Sequence, residues 1–170
     1  MKFFWNVVFV LTLAVSALEA YSVGNLDLKV AVVTHNPWMT NVAEIARGRR
    51  MNAIFSWPTG YNMAKDQASW WFEASHGMVK VTFVTNVVLD TWPRYVSGDR
   101  FTPQSYYDAR KKGVRPPFNT SFTFDYMYFY TNDCPWIVEY INKGIIDQVW
   151  LYSHPDSGCY ESRLNGRGGG

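Results

Sequence analysis

At 170 residues the chain has room for one domain, able to bury roughly two-thirds of the surface its unfolded chain exposes, so a sizeable core is within reach. A net charge of +2, with no run of Lys and Arg long enough to track phosphates, argues against a nucleic-acid partner; Arg47-Gly48-Arg49-Arg50 is the nearest approach and reads as a solvated or structural turn. Aromatic residues make up 18% of the chain, with eight tryptophans, so some are expected to face a ligand or a partner, against the simpler reading of an aromatic-rich core.

The N-terminus predicts a secretory signal peptide over residues 1–20. Lys2 supplies the positive region, residues 7–15 the apolar core, and Val15-Ser16-Ala17 or Leu18-Glu19-Ala20 the cleavage site. The run is shorter than the ~20 residues of a membrane span, and an uncleaved anchor is the alternative. Secretion makes a disulfide between Cys134 and Cys159 the default, and Asn119-Thr120-Ser121 is an acceptor pattern for N-glycosylation at Asn119.

Residues 29–33 (KVAVV) read as a strand buried on both faces, stopping at Thr34-His35-Asn36-Pro37-Trp38. Residues 40–61 predict a long loop with at most one short helix. Residues 62–75 place Met63, Ala64, Gln67, Trp70, Trp71 and Ala74 at helical spacing, with Asn62 as cap and Gly77 past the end. Residues 78–89 form the second strand, and Ser97-Gly98-Asp99-Arg100 a tight turn. Thr102-Pro103 opens a helix ending at Gly113, and residues 114–123 are loop. Residues 124–130 are ambiguous but lean helical, running on through Cys134 into a helix over 136–143; residues 148–152 are the third strand.

Strands alternating with helices predict an α/β domain with a mostly parallel sheet and crossover helices, spanning residues 21–170. Three strands make a thin sheet with open edges, which predicts a domain incomplete at its C-terminus. If the strands are parallel, one rim collects the loops after them, where ligands bind in open α/β sheets. Those loops bring His35, Asn36 and Trp38, then Asp90, Trp92 and Arg94, then His154, Asp156, Tyr160 and Glu161. Histidines and carboxylates on one rim suit either a metal or an acid/base pair, but no HExxH-type spacing is present and no metal or other cofactor is assigned. A helix packed antiparallel to the third strand returns Cys134 to the level of Cys159, which supports the disulfide. His76, at a helix C-terminus, reads as structural.

Several segments together resemble a family of uncharacterised secreted proteins, mainly bacterial. They are His35-Asn36-Pro37, Gly48-Arg49-Arg50, Ala74-Ser75-His76-Gly77-Met78-Val79, Asp90-Thr91-Trp92-Pro93, Ser105-Tyr106, Ile146-Asp147-Gln148-Val149-Trp150 and Tyr160-Glu161-Ser162. The resemblance covers most of residues 29–166 and implies secretion and a chain that continues further, but no activity. It departs at Ser153-His154-Pro155-Asp156-Ser157-Gly158-Cys159, where the family carries a Pro-Tyr-Phe-Gly-Phe-like segment, so His154 and Cys159 are particular to this chain.

Two functions stay open on the sequence. One is a hydrolase-like domain acting on an extracellular polymer, glycan or peptide, with Glu161 as general acid/base, Asp90 or Asp156 as its carboxylate partner, His154 as a further catalytic candidate and Tyr160 positioning substrate. The other is a non-catalytic carbohydrate-binding or interaction module in which Trp38, Trp92 and Tyr160 stack on sugar, with His35, Asn36 and Arg94 beside them.

Overall fold

The computed structural model describes residues 24–114 and 123–159; residues 1–20, expected to be a signal peptide, and Asn119, Tyr160 and Glu161 lie outside the described residues. Strand β1 (Leu26–His35) is the centre of the sheet, because Val30, Ala31, Val32 and Val33 have no exposed surface and can be covered from both sides. It runs two residues past the predicted end. Thr34 and His35 look like turn residues, yet each keeps its ladder partner, Val88 for Thr34 and Leu89 for His35. The Asn36 N–H still donates to Leu89 O at 3.0 Å, and the ladder ends only at Pro37, which has no N–H.

The segment expected to be mostly loop holds a two-residue antiparallel ribbon, β2 (Trp38–Met39) with β3 (Arg49–Arg50), and the single short helix α1 (Met51–Phe55). Helix α2 (Gly60–Ala74) starts two residues earlier than its periodicity implied. Its cap is Thr59, whose hydroxyl accepts the Asn62 N–H at 3.2 Å, in place of the expected Asn62. Tyr61, Ala64 and Ala68 face the sheet, and Trp71 meets Trp150 edge-on at 5.2 Å. Trp70, predicted on that stripe, is 67% exposed. The helix closes with Gly77 N–H donating to Phe72 O at 2.8 Å, and both His76 and Gly77 are left-handed.

Strand β4 (Val79–Leu89) pairs parallel to β1, with a bulge where Val30 and Ala31 oppose Phe83 and Thr85. Helix α3 (Pro103–Tyr107) has the Thr102 cap, here a full capping box with Ser105, and continues as a π-helical turn over Asp108–Lys112 to Gly113. Helix α4 (Tyr126–Tyr128) likewise passes into a π-helical turn, Phe129–Asp133, before α5 (Trp136–Asn142) and strand β5 (Gln148–Tyr152). Phe124, in the ambiguous run, is neither helix nor strand but a single bridge to Tyr95.

All three long strands are parallel in the order β4-β1-β5, so the predicted α/β architecture is the observed one. Helix α2 covers one face through Leu28, Val30, Val32 and Trp150. On the other face Phe129, Cys134 and Ile137 pack against Val33, with Val149 and Leu151 at the margin. A third apolar cluster of Met39, Met51, Trp92, Tyr95, Phe101 and Tyr106 contains aromatic side chains the composition left unassigned.

The disulfide expectation is corrected: Cys134 and Cys159 are both free thiols. Matching heights along a strand fixes one coordinate, whereas a disulfide also needs the Cβ atoms within about 4.5 Å and aimed at each other.

Candidate functional site

The chain leaves β1 for β4 on one side and returns to β5 on the other, so the order reverses between β1 and β5. In open parallel sheets the crevice outside the carboxyl ends of such a pair is where ligands bind. A cavity of about 540 Å³ lies here. Its lining comes from the end of β1 (Thr34, His35, Asn36), from α1 (Met51, Asn52), from the approach to α2 (Trp57 to Gly60, with Met63), and from residues 153–159 after β5. The volume is in the range of small-molecule sites.

His35 is 1% exposed, with Phe124 and Phe129 rings at 5.9 and 6.0 Å. Its Nδ1 lies 3.1 Å from Thr91 O. A carbonyl only accepts, so Nδ1 carries the proton and the neutral ring leaves a lone pair on Nε2. His154, 3% exposed, repeats the arrangement: Nδ1 lies 2.7 Å from Pro155 O, and the ring is enclosed by Tyr106 at 4.4 Å, Trp92 at 5.2 Å and Phe101 at 5.7 Å. Burial pulls both imidazoles down to about 4; Arg100 adds to this at His35, and His35 and Arg110 add to it at His154. Both rings are therefore neutral at pH 7. Among the described residues nothing hydrogen-bonds to either Nε2, to Thr34 Oγ1, to Ser153 Oγ or to Thr91 Oγ1; all of these buried atoms but that of Thr91 belong to residues that line the cavity.

The loop after β5 is anchored by tyrosines of the aromatic cluster: Tyr95 OH donates to Asp156 O at 2.5 Å and Tyr106 OH to Pro155 O at 3.2 Å. Asp156 takes a left-handed conformation, φ 67°, tolerable for a short polar side chain. Opposite, Asn36 and Asn52 are tied twice: Asn36 Nδ2 donates to Asn52 Oδ1 at 2.8 Å and Asn52 N–H to Asn36 Oδ1 at 3.1 Å. This pairing holds α1 to the end of β1.

Of the residues named from the sequence, His35, Asn36, His154, Asp156 and Cys159 line the cavity. Asp90, Trp38, Trp92 and Arg94 do not. Asp90 is ion-paired with Arg50 at 2.9 Å and accepts the Trp38 N–H at 2.7 Å. Trp92 is buried in the aromatic cluster, and Arg94 pairs with Asp125 at 3.2 Å beneath the Tyr128 ring. The Trp38 face is covered by the Arg50 guanidinium at 5.1 Å.

Sequence reasoning missed Thr34, Asn52, Trp57, Gly60 and Ser153. Gly60 was the available signal: a glycine opening a helix beside Thr59 marks a close backbone approach, here to Thr34. No group of three or more His, Cys, Asp and Glu able to hold a metal comes together among the described residues. The chain matches no family model, no curated protein and no solved structure with which it was compared.

Proposed function

We propose that the domain is a secreted binding domain for an extracellular carbohydrate, and that the cavity between the ends of β1 and β5 receives a neutral sugar unit. One observation carries this reading: Thr34 Oγ1, Ser153 Oγ and the two imidazole Nε2 atoms are buried, on residues that line one cavity, without hydrogen-bond partners among the described residues. Leaving such atoms unpaired costs about 1–3 kcal/mol each, a cost that a ligand's hydroxyl groups offset. The neutral Nε2 atoms accept, so they suit a donor such as a sugar hydroxyl. Met51, Trp57 and Met63 add an apolar wall suited to the C–H face of a pyranose. A neutral ligand also avoids the desolvation cost that keeps both imidazoles uncharged.

Calorimetry with neutral cello- and chito-oligosaccharides tests this. Trp57→Ala should weaken binding at least tenfold, while Trp38→Ala, outside the cavity, leaves it unchanged. Equal effects of the two, or no saturable binding by the wild type, would remove the reading.

A second reading, hydrolysis of the bound polymer, is favoured by the place of His154 on the cavity lining, its Nε2 unpaired among the described residues. Burial holds its imidazole neutral at pH 7, free to accept a proton although a weaker base than an ordinary histidine. Asp156 is the carboxylate beside it, and Glu161 follows five residues later in the chain. Glu161→Gln that abolishes turnover but retains ligand supports hydrolysis; a variant as active as the wild type eliminates Glu161 from it.

A further inference from the structure

A second concavity gathers cationic side chains that have no carboxylate partner among the described residues. Successive residues of extended chain face opposite ways, so Arg49 and Arg50 diverge from β3. Arg50 turns to Asp90, to Asn36 O at 2.8 Å and to the face of Trp38. Arg49 instead lines, with Arg47 and Lys111, a cleft of about 510 Å³ walled by Ile45, Ile54 and Tyr107.

Elsewhere several cations are matched, although Lys65 and Lys80 also have no carboxylate partner among the described residues. Arg50, Arg94, Arg110 and Lys112 each pair with an acid, and Arg100 donates to Trp92 O at 3.0 Å. Arg47, Arg49 and Lys111 have no carboxylate partner among the described residues; Lys111 Nζ lies 5.4 Å over the Phe55 ring. The cleft's own acid, Glu44, is engaged by Lys112 and accepts from Gln104 Nε2 at 3.2 Å, and these bonds hold its carboxyl below the usual range. Three cations thus face the cleft against one acid already committed. Guanidinium groups bind carboxylate and sulfate oxygens in bidentate fashion, and the Ile45, Ile54 and Tyr107 walls accept a less polar body beside the anion.

We infer that this cleft is a second ligand site, taking the carboxylate or sulfate groups of an acidic glycan. The oxyanion specificity stands on the cleft alone; the glycan as its carrier rests on the function proposed above. Helix α1 connects the two sites, giving Met51 and Asn52 to the cavity and Ile54 to the cleft. At about 1.5 Å per residue the helix is only ~7.5 Å long, so the linings of the two concavities are close neighbours.

The test is calorimetry on the full chain with oligogalacturonate, sulfated cello-oligosaccharide and neutral cello-oligosaccharide as probes. The wild type should bind the acidic probes more tightly, with affinity falling as salt rises. The triple variant R47A/R49A/K111A should lose at least tenfold on the preferred acidic probe and nothing on the neutral one. Whichever acidic probe suffers the larger loss identifies carboxylate or sulfate as the group bound. Wild-type affinity for acidic probes in the triple variant would overturn the inference, as would an equal loss from Lys80→Ala, an exposed cation on β4 away from the cleft. If neutral probes bind neither protein while the acidic ones stay sensitive to the triple variant, the cleft stands and the neutral-sugar reading of the cavity falls.

Discussion

Gly60 opens α2 directly against the Thr34 side chain: a Cβ placed on Gly60 would lie 2.0 Å from Thr34 Oγ1 and 2.9 Å from its Cγ2. The approach is closer than any side chain at position 60 permits, and it sets the start of α2 beside the end of β1, where the cavity forms. Gly60→Ala should therefore cost about 1–3 kcal/mol despite alanine's better helix propensity. In a denaturant double-mutant cycle, Thr34→Ala should recover part of that loss, because it removes Oγ1 and Cγ2 but leaves its own Cβ 3.0 Å from the new methyl. Simple additivity would mean that the two residues do not constrain each other.

Acid should destabilise the protein in a defined window. His35 and His154 are lowered from 6.5 to about 4, so the unfolded chain takes up protons first as pH falls. Stability is flat above about pH 6.5, declines between 6.5 and 4, and levels off with respect to these groups below 4. Each imidazole accounts for up to about 3 kcal/mol over that range. Urea midpoints measured from pH 8 to pH 4 should show the decline, and a His154→Gln variant should show roughly half of it.

Ser153→Ala removes a buried hydroxyl that has no hydrogen-bond partner among the described residues. Stability should rise by about 1 kcal/mol while oligosaccharide affinity falls, an opposition expected where a polar atom is kept for a ligand. A variant that loses stability and keeps its affinity would show that the Ser153 hydroxyl serves the fold.

Burial pushes the Cys134 and Cys159 thiols up to about 11, so little thiolate exists at neutral pH. Both should react slowly with a thiol reagent in the native protein and rapidly in guanidinium. The mass should not change on reduction; a two-dalton increase would show a bond between them.

Much of the scaffold was legible because it depends on local pattern. The apolar run at 29–33, the cap at Thr102 and the alternation after Met78 are each set by a few neighbouring residues, and each led to the correct element. What was not legible depends on the partner strand or on packing. The extension of β1 through Thr34 and His35 comes from ladders on both sides, and Thr59 becomes the cap because Gly60 fits against Thr34. Burial of Trp92 follows from its neighbours Phe101 and Tyr106, which no spacing reveals. The site was legible as a rim, since the order of strands and loops predicts it. Its membership was not, since Asn52 and Trp57 enter from a segment without periodicity.

The central claim is that the two Nε2 atoms accept hydrogen bonds from a bound sugar, and imidazole nitrogens report on this directly. In a titration of protein labelled with nitrogen-15 at histidine with neutral cello- or chito-oligosaccharides, Nε2 of His35 and His154 should shift saturably, while both Nδ1 resonances and that of exposed His76 stay in place. Saturable binding that leaves both Nε2 resonances unmoved would contradict the account.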